Sequence, residues 1–205
     1  MNLFITGWAS PLPNSLDSTK LAAKYKTMEN IQQNAEEIFP KNADVIAAWS
    51  MGAIITLGIL EDNPLSQLKR VILISPTLKF CCNNEMAAEL KILKRGIAKN
   101  KEAALKSFAK ICGVPDKITE SEPCIYSSDE LLAGLDFLEE TEFRNIIKPK
   151  NCEISIICGE KDKIIPLASS LEVAEMLEVK PIIIPDGNHF DAFNYWCTAL
   201  RYSQN

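Results

Sequence analysis

The sequence predicts an α/β fold, a mostly parallel sheet flanked by helices with an inserted helical lid. Three observations carry that prediction. Five short runs are continuously apolar rather than alternating, which suits strands covered on both faces. Helical patterns separate several of these runs, and strand alternating with helix means βαβ units. Between Pro76 and about Asn145 the strand signal disappears and only helical patterns remain.

The strand runs, in order, are "NLFIT" (2–6), "DVIAAW" (44–49), "RVILIS" (70–75), "EISIIC" (153–158) and "KPIIIP" (180–185). Helices are expected over 29–39, 51–62, 167–178 and 190–201. In the segment 8–43, "TKLAAKYKT" reads as either a degenerate strand or a helix. The region after Pro76 reads as several helices, broken near Gly96–Asn100, Gly113–Pro115 and Pro123. Some 70 residues between two core strands far exceed an ordinary loop, so they form an insertion. The expected division is a core of residues 1–76 and 146–205 and a lid of 77–145.

A chain of 205 residues, 47% hydrophobic, can bury a sizeable core. Its net charge of −5 argues against general nucleic-acid binding. No apolar run reaches the roughly 18–20 residues of a membrane span. "MNLFITGW" has no basic segment before its apolar residues, so no signal peptide is expected. The seven cysteines are odd in number and form no CxxC pair, and there is one histidine. That favours free thiols in a reducing cytoplasm over a zinc site, and neither metal nor other cofactor is expected. The vicinal pair Cys81-Cys82 leaves a redox role open.

Three residues carry candidate chemistry. Ser50 sits in "AWSMG", where a strand passes into a helix, with Gly52 behind it. A sharp turn there lifts a serine hydroxyl above the sheet, as in the elbow G-x-S-x-G, here with Ala48 at the first glycine position. The alternative is a serine that caps the following helix. His189, the one histidine, follows the last strand in "PDGNHFDAF". Asp162 follows the fourth strand in "ICGEKDKIIP", with Glu160 and Asp186 as rival acids and a turn-forming role as the alternative. Serine, acid and histidine thus occur in that chain order, each just past a strand's C-terminal end, where ligand and catalytic groups gather in open α/β sheets. A serine hydroxyl is a poor nucleophile until a base takes its proton; a neutral imidazole can do so, and a buried carboxylate fixes its tautomer. The oxyanion formed on attack needs N–H donors: the amide of Met51, next to the serine, and that of Trp8 in the loop after the first strand. The Trp8 side chain is expected either to line an acyl pocket or simply to fill the core.

With these motifs the chain resembles the α/β-hydrolases, and within them the pimeloyl-acyl-carrier-protein methyl ester esterases of biotin synthesis. The resemblance rests on "TGWA", "AWSMGA", "SPTLKFCC", "DELLAGLDFLEETEFRNIIKPKNCEISIICGEKDKIIP" and "GNHFDAF", and covers most of residues 44–193. It implies a shortened α/β-hydrolase fold, Ser50 as nucleophile with Asp162 and His189 as partners, and Trp8 and Met51 as oxyanion amides. Thr6 and Ala48 depart from the family's histidine and glycine. The usual first two antiparallel strands are expected to be absent, and residues 8–43 are too few for a helix-strand-helix passage.

Charge along the lid bears on substrate. Residues 77–117 hold nine lysines and arginines against four acids; residues 118–145 hold one arginine and eight acids. Lys91, Arg95 and Lys99 fall four apart, as do Lys106 and Lys110, so a helix would put each set on one face. Such a face suits an acidic acyl carrier protein, or is a solvated lysine face. The leading expectation is a serine carboxylesterase that cleaves the methyl ester of a carrier-bound dicarboxylic acyl chain. A general short-chain esterase or thioesterase without a carrier is the second. A small-ligand-binding protein with negligible turnover is the third.

Overall fold

The computed structural model describes residues 2–10, 15–39, 43–62, 68–119, 124–144, 146, 148 and 151–202. The five expected strands are present: β1 (Asn2–Ile5), β2 (Val45–Trp49), β3 (Arg70–Ile74), β4 (Glu153–Gly159) and β5 (Ile182–Ile184). They form one parallel sheet in the order β1-β2-β3-β4-β5.

That order dictates how the sheet is covered. Each parallel strand lies beside its predecessor, and right-handed crossovers then send every connecting helix to one face. Those helices are α1 (Ser18–Tyr25), α2 (Met28–Gln33), α3 (Ala35–Ile38), α4 (Met51–Asp62), α5 (Asn84–Lys99), α6 (Lys101–Cys112), α7 (Asp116–Thr119), α8 (Ser128–Glu140) and α9 (Leu167–Met176). Ile46, Ala48, Val71, Leu73, Ile154 and Ile156 point into this side and join residues of α1–α5, α8 and α9 in one large core. Their neighbours Ala47, Trp49, Ile72, Ile74 and Ile157 point the other way. There α10 (His189–Tyr202), which follows the last strand and makes no crossover, covers them with Phe190, Ala192, Phe193 and Trp196. Burial on both faces is why the strands read as unbroken apolar runs.

The ambiguous "TKLAAKYKT" is helical from Thr19 to Tyr25, within α1: Asp17 caps it by accepting from the Thr19 and Lys20 amides, and Leu21 and Ala22 face the core. The helix expected over 29–39 is instead two short ones, α2 and α3, because Asn34 leaves helical geometry between them (φ −106°, ψ 14°). Between β1 and α1 there is one parallel bridge, Ile5 to Leu16. Among the described residues between β3 and β4 there are four helices, α5–α8. Asn100 ends α5 and caps α6 by accepting from the Ala103 amide, and Gly113 (φ +84°) ends α6. Gly96, an expected break, lies inside α5. The break at Pro123 and residue 145 lie outside the described residues. Lys94 of α5 binds both Asp136 (2.6 Å) and Glu139 of α8, which ties the basic helix to the acidic one. Among the described residues no helix is long and apolar enough to cross a membrane.

Candidate active site

Ser50 occupies the turn between β2 and α4 with φ +56°, a left-handed conformation that costs a residue with a side chain free energy. The surroundings hold it there: its amide donates to Ile74 O at 2.9 Å, and its carbonyl accepts from the Ile54 amide. A Cβ on Gly52 would lie 2.6 Å from the carbonyl oxygens of both Ile5 and Thr6, so α4 can start this close to β1 only with glycine. Ala48 faces the large core, where its methyl group is fully buried. The glycine requirement therefore lies after the serine, not before it. Among the described residues, Ser50 Oγ makes no hydrogen bond to a helix amide.

His189 opens α10. Asn188 caps that helix by accepting from the Phe190 and Asp191 amides, both at 2.9 Å, while Asp191 accepts from the Asn188 amide. A Cβ on Gly159 would lie 2.5 Å from the Asn188 and Gly187 carbonyl oxygens, so the end of β4 passes directly under the histidine loop. The three acids near it then separate. Glu160 accepts from the Asp186 amide, and Asp186 pairs with Lys161 at 2.5 Å, so both rivals brace the loop from outside. Asp162 is the acid that meets the imidazole, Nδ1 to Oδ2 at 2.7 Å, with the two side chains 2% and 1% exposed.

Every lone-pair direction of the Asp162 carboxylate is used. Oδ1 accepts from the amides of Ile164 (2.8 Å) and Ile165 (2.9 Å), an Asx turn. Oδ2 accepts from His189 and from the hydroxyl of Ser75 at 2.9 Å. Burial alone would push this carboxyl up; the imidazole beside it and the Ile165 and Ile164 amides outweigh that and hold it below its ordinary value. An ionised carboxylate only accepts, so Nδ1 carries the proton and Nε2 is left as an acceptor.

Ser50 and His189 line one cavity of about 570 Å³, within the range of small-molecule sites. Its walls are mostly apolar: Trp8 and Trp49, Leu105, Phe108 and Cys112 of α6, Val114, and Phe190 and Phe193 of α10. Ser10, Glu102, Lys106 and Thr119 add polar groups. No direct hydrogen bond joins Ser50 Oγ to His189 among the described residues; such bonds often tighten only when substrate is bound. Trp8 both lines this cavity and packs in the core, with Nε1 donating to Leu131 O at 3.0 Å and Phe108 set edge-on at 5.0 Å. Neither the Trp8 nor the Met51 amide has an acceptor among the described residues. The loop that carries Trp8 is clamped on both sides. Thr6 accepts from the Ser18 amide, and Ala9 (φ +56°) donates to Thr19 Oγ1.

Lys91, Arg95 and Lys99 on α5, and Lys106 and Lys110 on α6, are all exposed. Of these five, Lys106 lines the cavity and the others do not. Ser75 and Trp49, whose ring lies 5.3 Å from that of His189, were not singled out from the sequence. Ser75 had a usable signal, since it follows a core strand directly just as Ser50 does.

No protein-family profile matches the chain. A pimeloyl-[acyl-carrier protein] methyl ester esterase of Pseudoalteromonas atlantica is 25% identical over 170 residues, which are 76% of this chain and 65% of that protein. An esterase from Exiguobacterium antarcticum superposes with a TM-score of 0.77 at 14% identity, over 100% of this chain and 92% of that one. A hydrolase from Oleispira antarctica gives 0.72 at 12% identity over 100% and 90%, and a bromoperoxidase from Bacillus anthracis 0.71 at 16% over 100% and 92%. The parallel sheet, the serine at its strand-to-helix turn and these superpositions establish that the chain has the α/β-hydrolase fold.

Proposed function

We propose that this protein is a serine hydrolase of carboxylic esters, with Ser50 as nucleophile, His189 as base and Asp162 as the residue that orients the base. The observation that carries the reading is the 2.7 Å contact between His189 Nδ1 and Asp162 Oδ2 beside a cavity that Ser50 also lines. With its proton on Nδ1, His189 takes the Ser50 proton at Nε2 as the hydroxyl attacks the ester carbonyl. The Met51 and Trp8 amides receive the oxyanion. The imidazolium returns the proton to the departing alkoxide, and water then cleaves the acyl-enzyme by the same steps reversed. The division into a core (1–76, 146–205) and a lid (77–145) belongs to this reading, since α6 and α7 contribute residues to the cavity that Ser50 and His189 line.

The substrate we propose is the methyl ester of a carrier-bound dicarboxylic acyl chain, as in biotin synthesis. It is supported by the quoted motifs, by the 25% identical esterase and by the apolar cavity with Lys106 on its wall. Acyl carrier protein would meet the exposed cations of α5 and α6, in the cytoplasm, where seven cysteines outside any disulfide are at home. Two experiments test these levels separately. Ser50→Ala should abolish labelling by a fluorophosphonate; persistent labelling would remove the nucleophile assignment. Reversing Lys91, Arg95 and Lys99 to glutamate should raise KM for a carrier-bound ester and spare a small p-nitrophenyl ester, at roughly 0.2–1 kcal/mol per exposed contact. Salt at about 0.5 M should mimic the reversal. Equal activity on both substrates in every condition would favour the general esterase, and rescue of a biotin-requiring strain lacking its own esterase would favour the carrier.

A further inference from the structure

Ser75 touches the site, yet no step above uses it. We infer that Ser75 is a positioning residue that holds the Asp162 carboxylate against His189 and takes up part of its charge. The inference rests on the proposed pairing of Ser50, His189 and Asp162. Its hydroxyl donates to Oδ2 at 2.9 Å, the same oxygen that receives His189 Nδ1 at 2.7 Å. The two donors therefore compete for one oxygen, while Ile164 and Ile165 hold the other.

The backbone at Ser75 is a second, independent observation. It lies at φ +48°, the counterpart of Ser50 at φ +56° one strand away, both just past the sheet's C-terminal edge. Strain of this kind persists only where the surroundings over-determine it. Here the Ser75 amide continues the β3–β4 ladder by donating to Ile157 O at 2.8 Å, and the turned backbone aims the hydroxyl at Asp162 rather than into the core. Ser75 is fully buried, so substrate cannot reach it and it is no second nucleophile. Besides His189, the Ile164 and Ile165 amides act on Asp162, and its charge in turn helps push up the buried thiols Cys112 of α6 and Cys158 of β4. Ser50, Glu102 and Lys106 line the adjoining cavity. Neither thiol is an alternative donor to the carboxylate in the structure, so Ser75 is the hydroxyl that moderates it.

Without the hydroxyl, the charge of Oδ2 falls on His189 alone and favours the protonated imidazole. The acid limb of kcat/KM, which reports the free enzyme's base, should then move to higher pH. The test compares Ser75→Ala, which keeps the strained backbone, with Ser75→Gly, which relieves it; both lack the hydroxyl. Rates on p-nitrophenyl butyrate are measured from about pH 5 to 9 and normalised to sites titrated by fluorophosphonate, with Ser50→Ala as the blank. Both variants should shift the acid limb upward by roughly half a unit and lower kcat several-fold with KM within about twofold. Their melting temperatures should differ from each other. If both profiles coincide with wild type, or the shift follows melting temperature rather than the hydroxyl, Ser75 is merely structural. Labelling of Ser50→Ala would instead overturn the reading of the site, and the role of Ser75 with it.

Discussion

The two faces of the sheet are built very differently. One is covered by helices from every crossover, and its core draws on α1–α5, α8 and α9. The other is covered by α10, whose Phe193 stacks on Trp49 at 4.6 Å while Trp196 stacks on Phe4 at 4.6 Å. Two indole N–H groups on that face, of Trp49 and Trp196, are buried without a partner among the described residues. The strand order explains the asymmetry, because only a helix outside a crossover can reach the second face. The candidate site straddles both: Ser50 lies in the turn that leads into α4 on the thick face, and His189 opens α10 on the thin one. Asp162, in the loop after β4, is the link between them.

The largest expected effect comes from cutting the link. Asp162→Asn should cut kcat by roughly 10⁴, because the amide no longer enforces the Nδ1–H tautomer. Glu160→Gln should cost little, since Glu160 only braces the Asp186 amide from outside. If Glu160→Gln gave the larger loss, the wrong acid would have been named.

An intermediate effect separates the faces directly. Phe193→Ala on the thin face and Ile31→Ala on the thick face should each destabilise by about 2–4 kcal/mol in urea denaturation. They should differ in kcat per titrated site: Ile31→Ala near wild type, Phe193→Ala reduced, because Phe193 seats both Trp49 and the helix that carries His189. Equal kcat values would mean the thin face contributes nothing to placing the base.

The smallest effect is on acid stability. The Asp162 carboxyl is held below its ordinary value in the fold, so its contribution is present above an unfolded value of about 3.9 and is lost as pH falls through the folded one. Unfolding free energy should therefore decline less steeply below about pH 4 in Asp162→Asn than in wild type. Parallel curves would show that the carboxylate gains nothing net from its four donors.

Much of this arrangement was legible in the residues. Unbroken apolar runs located five strands, and the helical spacings located most helices, because period and burial on both faces are local properties of a chain. The elbow was legible as well: Gly52 is required by a clash with the β1 carbonyls, and a glycine two residues past a serine is visible in sequence. The split at Asn34 was not, since it interrupts a helical pattern without changing its spacing. The helix at "TKLAAKYKT" stayed ambiguous because so short a run fits either period until the Asp17 cap and the packing of Leu21 and Ala22 decide.

Sequence alone determined the alternation of strand and helix, the place of Ser50, and the position of His189 and three acids in loops at one edge of the sheet. Tertiary structure decided which acid faces the imidazole, that Ser75 shares its oxygen, and that one helix covers a whole face. Those outcomes join residues 27 and 87 positions apart, and they depend on strand register and order. Local spacing carries no information about such partners, because a side chain chooses them only after the sheet has set which loops lie side by side.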